Sequence, residues 1–331
     1  MREKLRRFKG NNIIWIIFLV FLLYILLGSL VGELFYLLLY RLREWSPAVD
    51  FINYYYTYTI GAVLTLVLYC LIFKKNRFIL RSFLPAGRGR DHKIRVVEDT
   101  YEPTQNNTPK MLLLGLLIGF VTNFTTIACA LIHGDINLYF DFSIAQLPVL
   151  VYGLLMVFIQ SSSEELWTRG FMYERLSIHY PLWAAAAVNG ALFGLLHCLN
   201  EGVNVLGILD IIACGISFSL LRWYSGSIWM VMGVHTMWNF TQNFLFGLPN
   251  SGLVSELSVL HLDASNGVSN LIYDYAFGVE GALPAFIVDA GIGIVVLLLA
   301  KRSGRLGELR MSYEKKAALS AGPDESNDTN N

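Results

Sequence analysis

Residues 146–170 read QLPVLVYGLLMVFIQSSSEELWTRG. A long apolar run leads straight into Gln160, Ser161 to Ser163, and the pair Glu164-Glu165. No Gly-Pro break follows until Pro181, and a lone Gly170 is tolerated in a helix. The helix therefore continues past its apolar part. Acids at such a depth are costly in lipid and must face a polar cavity or a partner.

Outward from this stretch the chain repeats the same theme. Of 331 residues, 55% are hydrophobic and only 15% charged, where a soluble domain carries about 25%. Apolar segments fall at 13–40, 51–73, 111–133, 146–163, 181–199, 203–221, 227–247 and 283–300. Runs of that length and composition predict membrane helices. The expected fold class is all-α: a polytopic membrane helix bundle of about eight transmembrane helices. The first run follows Arg2, Lys4, Arg6, Arg7 and Lys9 and is too long for a cleaved signal, so it reads as a signal anchor.

Charge placement sets the orientation. Lys74, Lys75, Arg77, Arg81, Arg88, Arg90, Lys93, Arg95 and Lys110 crowd one loop. Arg169, Arg175, Arg222 and the cations of 301–316 fall on the same side if the helices alternate. The other side keeps only Arg41 and Arg43. The positive-inside rule then places both termini in the cytoplasm. The expected organisation is N-terminal helices over 1–140 with the basic loop 74–110, a catalytic helical core over 141–302, and a cytoplasmic, disordered tail over 303–331. Zero net charge gives no footprint for nucleic acid. Cys70, Cys129, Cys198 and Cys214 form no CxxC pair, which argues against a disulfide framework or a thiolate zinc site. Gly28/Gly32 and Gly115/Gly119 have the spacing of close helix contacts and read as packing within the bundle.

Three polar clusters carry the chemistry. On a helix, Glu165 and Arg169 share a face and can pair, whereas Glu164 is rotated by roughly 100° and lacks that partner. Such a carboxylate suits acid–base work. Phe193 and His197 are again four apart, as are His235 and Asn239, with Gln242 and Asn243 continuing the last stripe. Each cluster alone has an ordinary structural reading: an interfacial helix end, a satisfied histidine, a hydrogen-bonding seam. Together, an acid pair, two histidines and an asparagine on three helices can converge on one cavity. There Glu164 would activate a water held with His197, and His235 and Asn239 would stabilise an oxyanion. HExxH, a rhomboid-like serine context and GxGD are all absent from the sequence. Asp210 and Asp289 read as packing or interface acids that could line the cavity; Glu33 and Glu280 have no assignment.

Glu-Glu-x-x-x-Arg, Phe-x-x-x-His and His-x-x-x-Asn, in this order on successive membrane helices, resemble the CPBP family. That family groups CAAX prenyl endopeptidases of the Rce type with bacteriocin-processing and immunity (Abi) proteins. The resemblance covers about 140–300, with its motif core at 164–239. It implies an intramembrane endopeptidase in which Glu164, His197, His235 and Asn239 are catalytic and Glu165, Arg169 and Phe193 support them. The implied partners are the membrane and hydrophobic or lipidated peptide substrates; the expected location is a bacterial plasma membrane. No cofactor is certain. Glu164, His197 and His235 could in principle offer zinc three ligands, while Asn239 suits an oxyanion better. The alternative is a non-catalytic membrane scaffold or bacteriocin self-immunity protein that binds a protein partner; a transporter would show inverted repeats or paired broken helices.

Overall fold

The computed structural model describes residues 13–42, 46–72, 78–86, 95–97, 100–102, 105–263 and 269–320. The N-terminal cations Arg2 to Lys9, loop cations Lys74, Lys75, Arg77, Arg88, Arg90 and Lys93, and the tail from residue 321 lie outside the described residues.

Helices occur at all the apolar segments. They are α1 (Ile13–Leu42), α2 (Pro47–Ile72), α3 (Pro109–His133), α4 (Leu147–Glu165), α5 (Leu182–His197), α6 (Val205–Ser225), α7 (Ile228–Phe240) and α8 (Leu283–Arg302). A short α9 (Tyr313–Ser320) follows. Among the described residues, two antiparallel ribbons accompany the helices: β1 (Arg95–Val97) with β2 (Thr100–Glu102), and β3 (Leu138–Phe140) with β4 (Leu260–Leu262). The second pairs Leu138 with Leu262 and so ties the loop after α3 to the long loop before α8. Neither ribbon has a signal in the apolar patterning.

Among the described residues, four helical runs are long and apolar enough to cross a membrane: Pro109–His133, Ile144–His179, Val205–Ser225 and Leu283–Arg302. Leu26–Leu38, Gly61–Ile72 and Leu182–His197 are shorter apolar helices. Leu117, Ile132, Leu155, Ile287 and Leu298 point outward and are exposed. That is the pattern of a bundle solvated by lipid.

Small residues set the helix contacts. A Cβ on Gly115 would stand 2.1 Å from the Met230 carbonyl oxygen, and one on Gly119 2.2 Å from that of Val234. Helix α3 thus lies directly against α7, and the Gly115/Gly119 spacing serves contact inside the bundle. A Cβ on Gly28 would meet Ala62 at 3.2 Å, so the first glycine pair seats α1 on α2. Asn107 fastens the start of α7. Its Oδ1 accepts from Ser227 Oγ and Ile228 N, and its Nδ2 donates to the Ser82 and Leu84 carbonyls.

The run from α4 continues past its apolar part to His179, as the lack of a break before Pro181 led us to expect, but residues Leu166–Tyr173 are wound as a π-helix. Glu164 therefore sits inside a 36-residue helical run, Ile144–His179. Arg169, expected on the helical continuation of α4, and Arg222, expected in the link after α6, are both buried inside helical segments. Arg222 pairs with Glu174 at 2.9 Å, and both side chains are buried. They are structural charges of the core, and carry no weight in an orientation argument based on loops.

Filling the α3–α7 contact tests this packing. Gly119→Ala is expected to destabilise the protein by about 1–3 kcal/mol, because backbone lies opposite. Thermal unfolding in detergent checks this; an unchanged midpoint would contradict it.

Candidate active site

The site begins with the local winding of the α4 run. Thr168 Oγ1 donates to the Glu164 carbonyl, and Asn189 Nδ2 from α5 donates to the Thr168 carbonyl at 2.8 Å. Side chains thus take up carbonyls around the π-helical turn, a form of helix that recurs at functional sites. The result brings Glu164 and Glu165 to different neighbours.

Glu165 is fully buried. Its Oε1 accepts from Arg169 Nη1 at 2.9 Å and faces His235 Nδ1 at 2.8 Å. Arg169, also fully buried, bonds Thr168 Oγ1 at 2.9 Å. Its guanidinium lies 4.5 Å from the centre of the Phe193 ring and 5.3 Å from that of Phe218. These rings give the cation a favourable face in a dry site. The expected Glu165–Arg169 pair is present, and His235 shares the same carboxylate oxygen.

Glu164 points the other way. It accepts from Gln160 Nε2, and its Oε2 stands 3.9 Å from His235 Nε2. His235 is thus held between the two acids: bonded through Nδ1 and presenting Nε2 to Glu164. His197 is oriented by its own helix, with Nδ1 donating to the Phe193 carbonyl at 2.8 Å. The Phe193 and His197 rings meet edge to face at 4.6 Å.

A cavity of about 360 Å³ opens among these groups. Glu164, Phe193, His197, His235 and Asn239 all line it, while Glu165 and Arg169 sit behind the wall. Gln242 and Asn243 are not in the lining. Gln242 accepts from Asn123 at 2.8 Å and donates to the Pro249 carbonyl, and Asn243 donates to the Leu248 and Leu253 carbonyls. Their role is to hold the loop after α7.

That loop supplies residues with no expected part in the site. Asn250, Ser251, Gly252, Leu253 and Glu280 complete the wall. Asn250 Nδ2 donates to Asn239 Oδ1 at 3.3 Å and to Glu280 Oε1 at 3.0 Å. Glu280 also accepts from Trp238 Nε1 at 3.0 Å, Ser251 N at 2.7 Å and Ser251 Oγ at 2.9 Å. Burial raises the Glu280 pKa above the ordinary carboxylate value, and the donors from Ser251 and Trp238 pull it back. Ser251 adopts φ 49°, the left-handed region that non-glycine residues seldom enter. Asp210 and Asp289 line the cavity too, which corrects their reading as packing acids.

No group of three or more His, Cys, Asp or Glu among the described residues is gathered as a metal site. Glu164, His197 and His235 line one cavity without forming such a cluster.

Fold and site together define a membrane-embedded helical protein with a polar cavity of acids, imidazoles and amides. Residues 146–241 match the family model described as type II CAAX prenyl endopeptidase Rce1-like. The matched segment contains all seven motif residues from Glu164 to Asn239 and bears out the resemblance read from them. This segment is therefore similar to the Rce1-like domain of CAAX-type proteases, and it lies in a chain whose apolar helices are long enough to cross a membrane. No curated protein and no solved structure matches the chain.

Removing one partner of the buried ion pair tests the anchor. Arg169→Met is expected to cost roughly 3–5 kcal/mol by leaving Glu165 uncompensated. Adding Glu165→Gln should recover part of that loss. Denaturant unfolding measures both; wild-type stability in Arg169→Met would contradict the assignment.

Proposed function

We propose that this protein is an intramembrane endopeptidase that hydrolyses hydrophobic or membrane-anchored peptides with a water activated by Glu164. The observation that carries this reading is the 3.9 Å separation of Glu164 Oε2 and His235 Nε2 on the cavity wall. That gap is too long for a direct hydrogen bond, and suits a water bonded to both.

In this mechanism the water lies between Glu164 and His235, near His197 Nε2. Glu164 takes a proton as the water oxygen attacks the scissile carbonyl carbon. The carbonyl oxygen becomes an oxyanion. Asn239 donates to it through Nδ2, since its Oδ1 is occupied by Asn250. His235, as an imidazolium held on Glu165, donates through Nε2. Collapse of the tetrahedral species breaks the C–N bond. The proton on Glu164 passes to the leaving nitrogen, giving an acid and an amine. Glu165 and Arg169 take no proton; they position His235.

The topology that goes with this reading has all eight helices crossing the membrane and both termini in the cytoplasm. Outward-facing leucines and isoleucines on several helices support passage through lipid. Substrate then reaches the cavity from the membrane or from its surface.

Glu164→Gln is expected to lower kcat about 10²–10⁴-fold while the protein stays folded. Hydrolysis of a hydrophobic peptide panel by detergent-purified protein measures this, with a chelator arm in which activity persists. Wild-type activity in Glu164→Gln would overturn the assignment. Folded wild type that cleaves nothing would favour a scaffold role.

A further inference from the structure

We propose that Asp210 and Asp289 form a specificity site that takes the cationic side chain of a lysine or arginine in the substrate. This inference rests on the peptidase reading and adds a substrate class to it.

The cavity wall carries five carboxyl groups, Glu164, Glu201, Asp210, Glu280 and Asp289, and no lysine or arginine. Their positions differ in what they still need. Glu280 already accepts from Trp238, Asn250 and Ser251. Glu164 faces Gln160 and His235. Arg169, the cation behind the wall, is committed to Glu165.

Glu201 is exposed, which leaves Asp210 on α6 and Asp289 on α8. Each is only 2% exposed, and both line the cavity. Cys214 lines the cavity with them. Each aspartate keeps a buried oxygen, Oδ1, with no hydrogen-bond partner. The two helices are locked at this level, because Ser217 Oγ of α6 donates to the Asp289 carbonyl at 2.7 Å. The pair is therefore a fixed acceptor site and not a mobile one.

Unpartnered buried acceptors carry a standing cost that a cation removes. Acids within membrane segments pair with each other or face a cavity and mark its ligand. A metal ion would need further ligands, and no group of three or more candidate ligands is gathered among the described residues. An ammonium or guanidinium needs only acceptors, to which it brings three or five donors. A basic side chain beside the scissile bond meets that demand. Its own stem would pack on Phe218 and Ile211, which line the same cavity.

The test uses full-length protein in detergent and hydrophobic peptides differing at one scanned position: arginine against citrulline, lysine against norleucine. Wild type is expected to show kcat/KM about tenfold or more higher for the basic member at one position. The ratio should fall toward one in Asp289→Asn and in Asp210→Asn. A ratio near one at every position in wild type overturns the proposal while leaving the peptidase intact. So does a ratio that both variants keep. Failure of folded wild type to cleave any peptide removes the peptidase reading and this site with it. Zinc or calcium alone, if either raises the thermal midpoint of wild type but not of Asp289→Asn, would make the pair a metal site and overturn the proposal.

Discussion

The Glu165 carboxylate is the interaction on which the site depends. It lies fully buried and joins Arg169 of its own helical run to His235 of α7. A buried ion pair contributes little net stability, since desolvation offsets much of the Coulomb attraction. Its value here is positional. One carboxylate oxygen fixes the guanidinium against the Phe193 and Phe218 rings and fixes the imidazole toward Glu164. Four helices are thereby held in register by a few polar and cation–ring contacts in an apolar surround, where those contacts are strong.

The remaining geometry follows from close helix approach. Glycines let α3 lie on the backbone of α7, which carries His235 and Asn239. The π-helical turn after Glu165 lets Thr168 and Arg169 face inward together with the acids. The loop before α8 then closes the wall. Glu280 gathers Trp238, Asn250 and Ser251, and Asn250 turns the amide of Asn239.

Much of this is legible in the chain. Apolar blocks announce the helices, and the four-residue spacings of Glu165/Arg169, Phe193/His197 and His235/Asn239 announce shared faces. Convergence on one cavity was inferable because acids and imidazoles at membrane depth have few other places to face. What was not legible depends on contacts distant in sequence. Glu280 is a single acid in a loop, with no periodicity to mark it; its partners lie 29 to 42 residues away. The second partner of Glu165 is 70 residues away. Arg222 looks like a link cation because charge normally ends a membrane segment. Arg169 and Arg222 are each matched by a buried acid, Glu165 or Glu174, which local spacing shows only for the first. The π-helical winding has no signature in composition.

A double-mutant cycle on kcat/KM tests the central claim that Glu164 and His235 act on one water. Glu164→Gln, His235→Ala and the double variant would be compared in hydrolysis of one hydrophobic peptide. If both groups serve the same water and oxyanion, the double variant is about as slow as the worse single variant. Losses that multiply would show two groups acting independently, and would contradict the account.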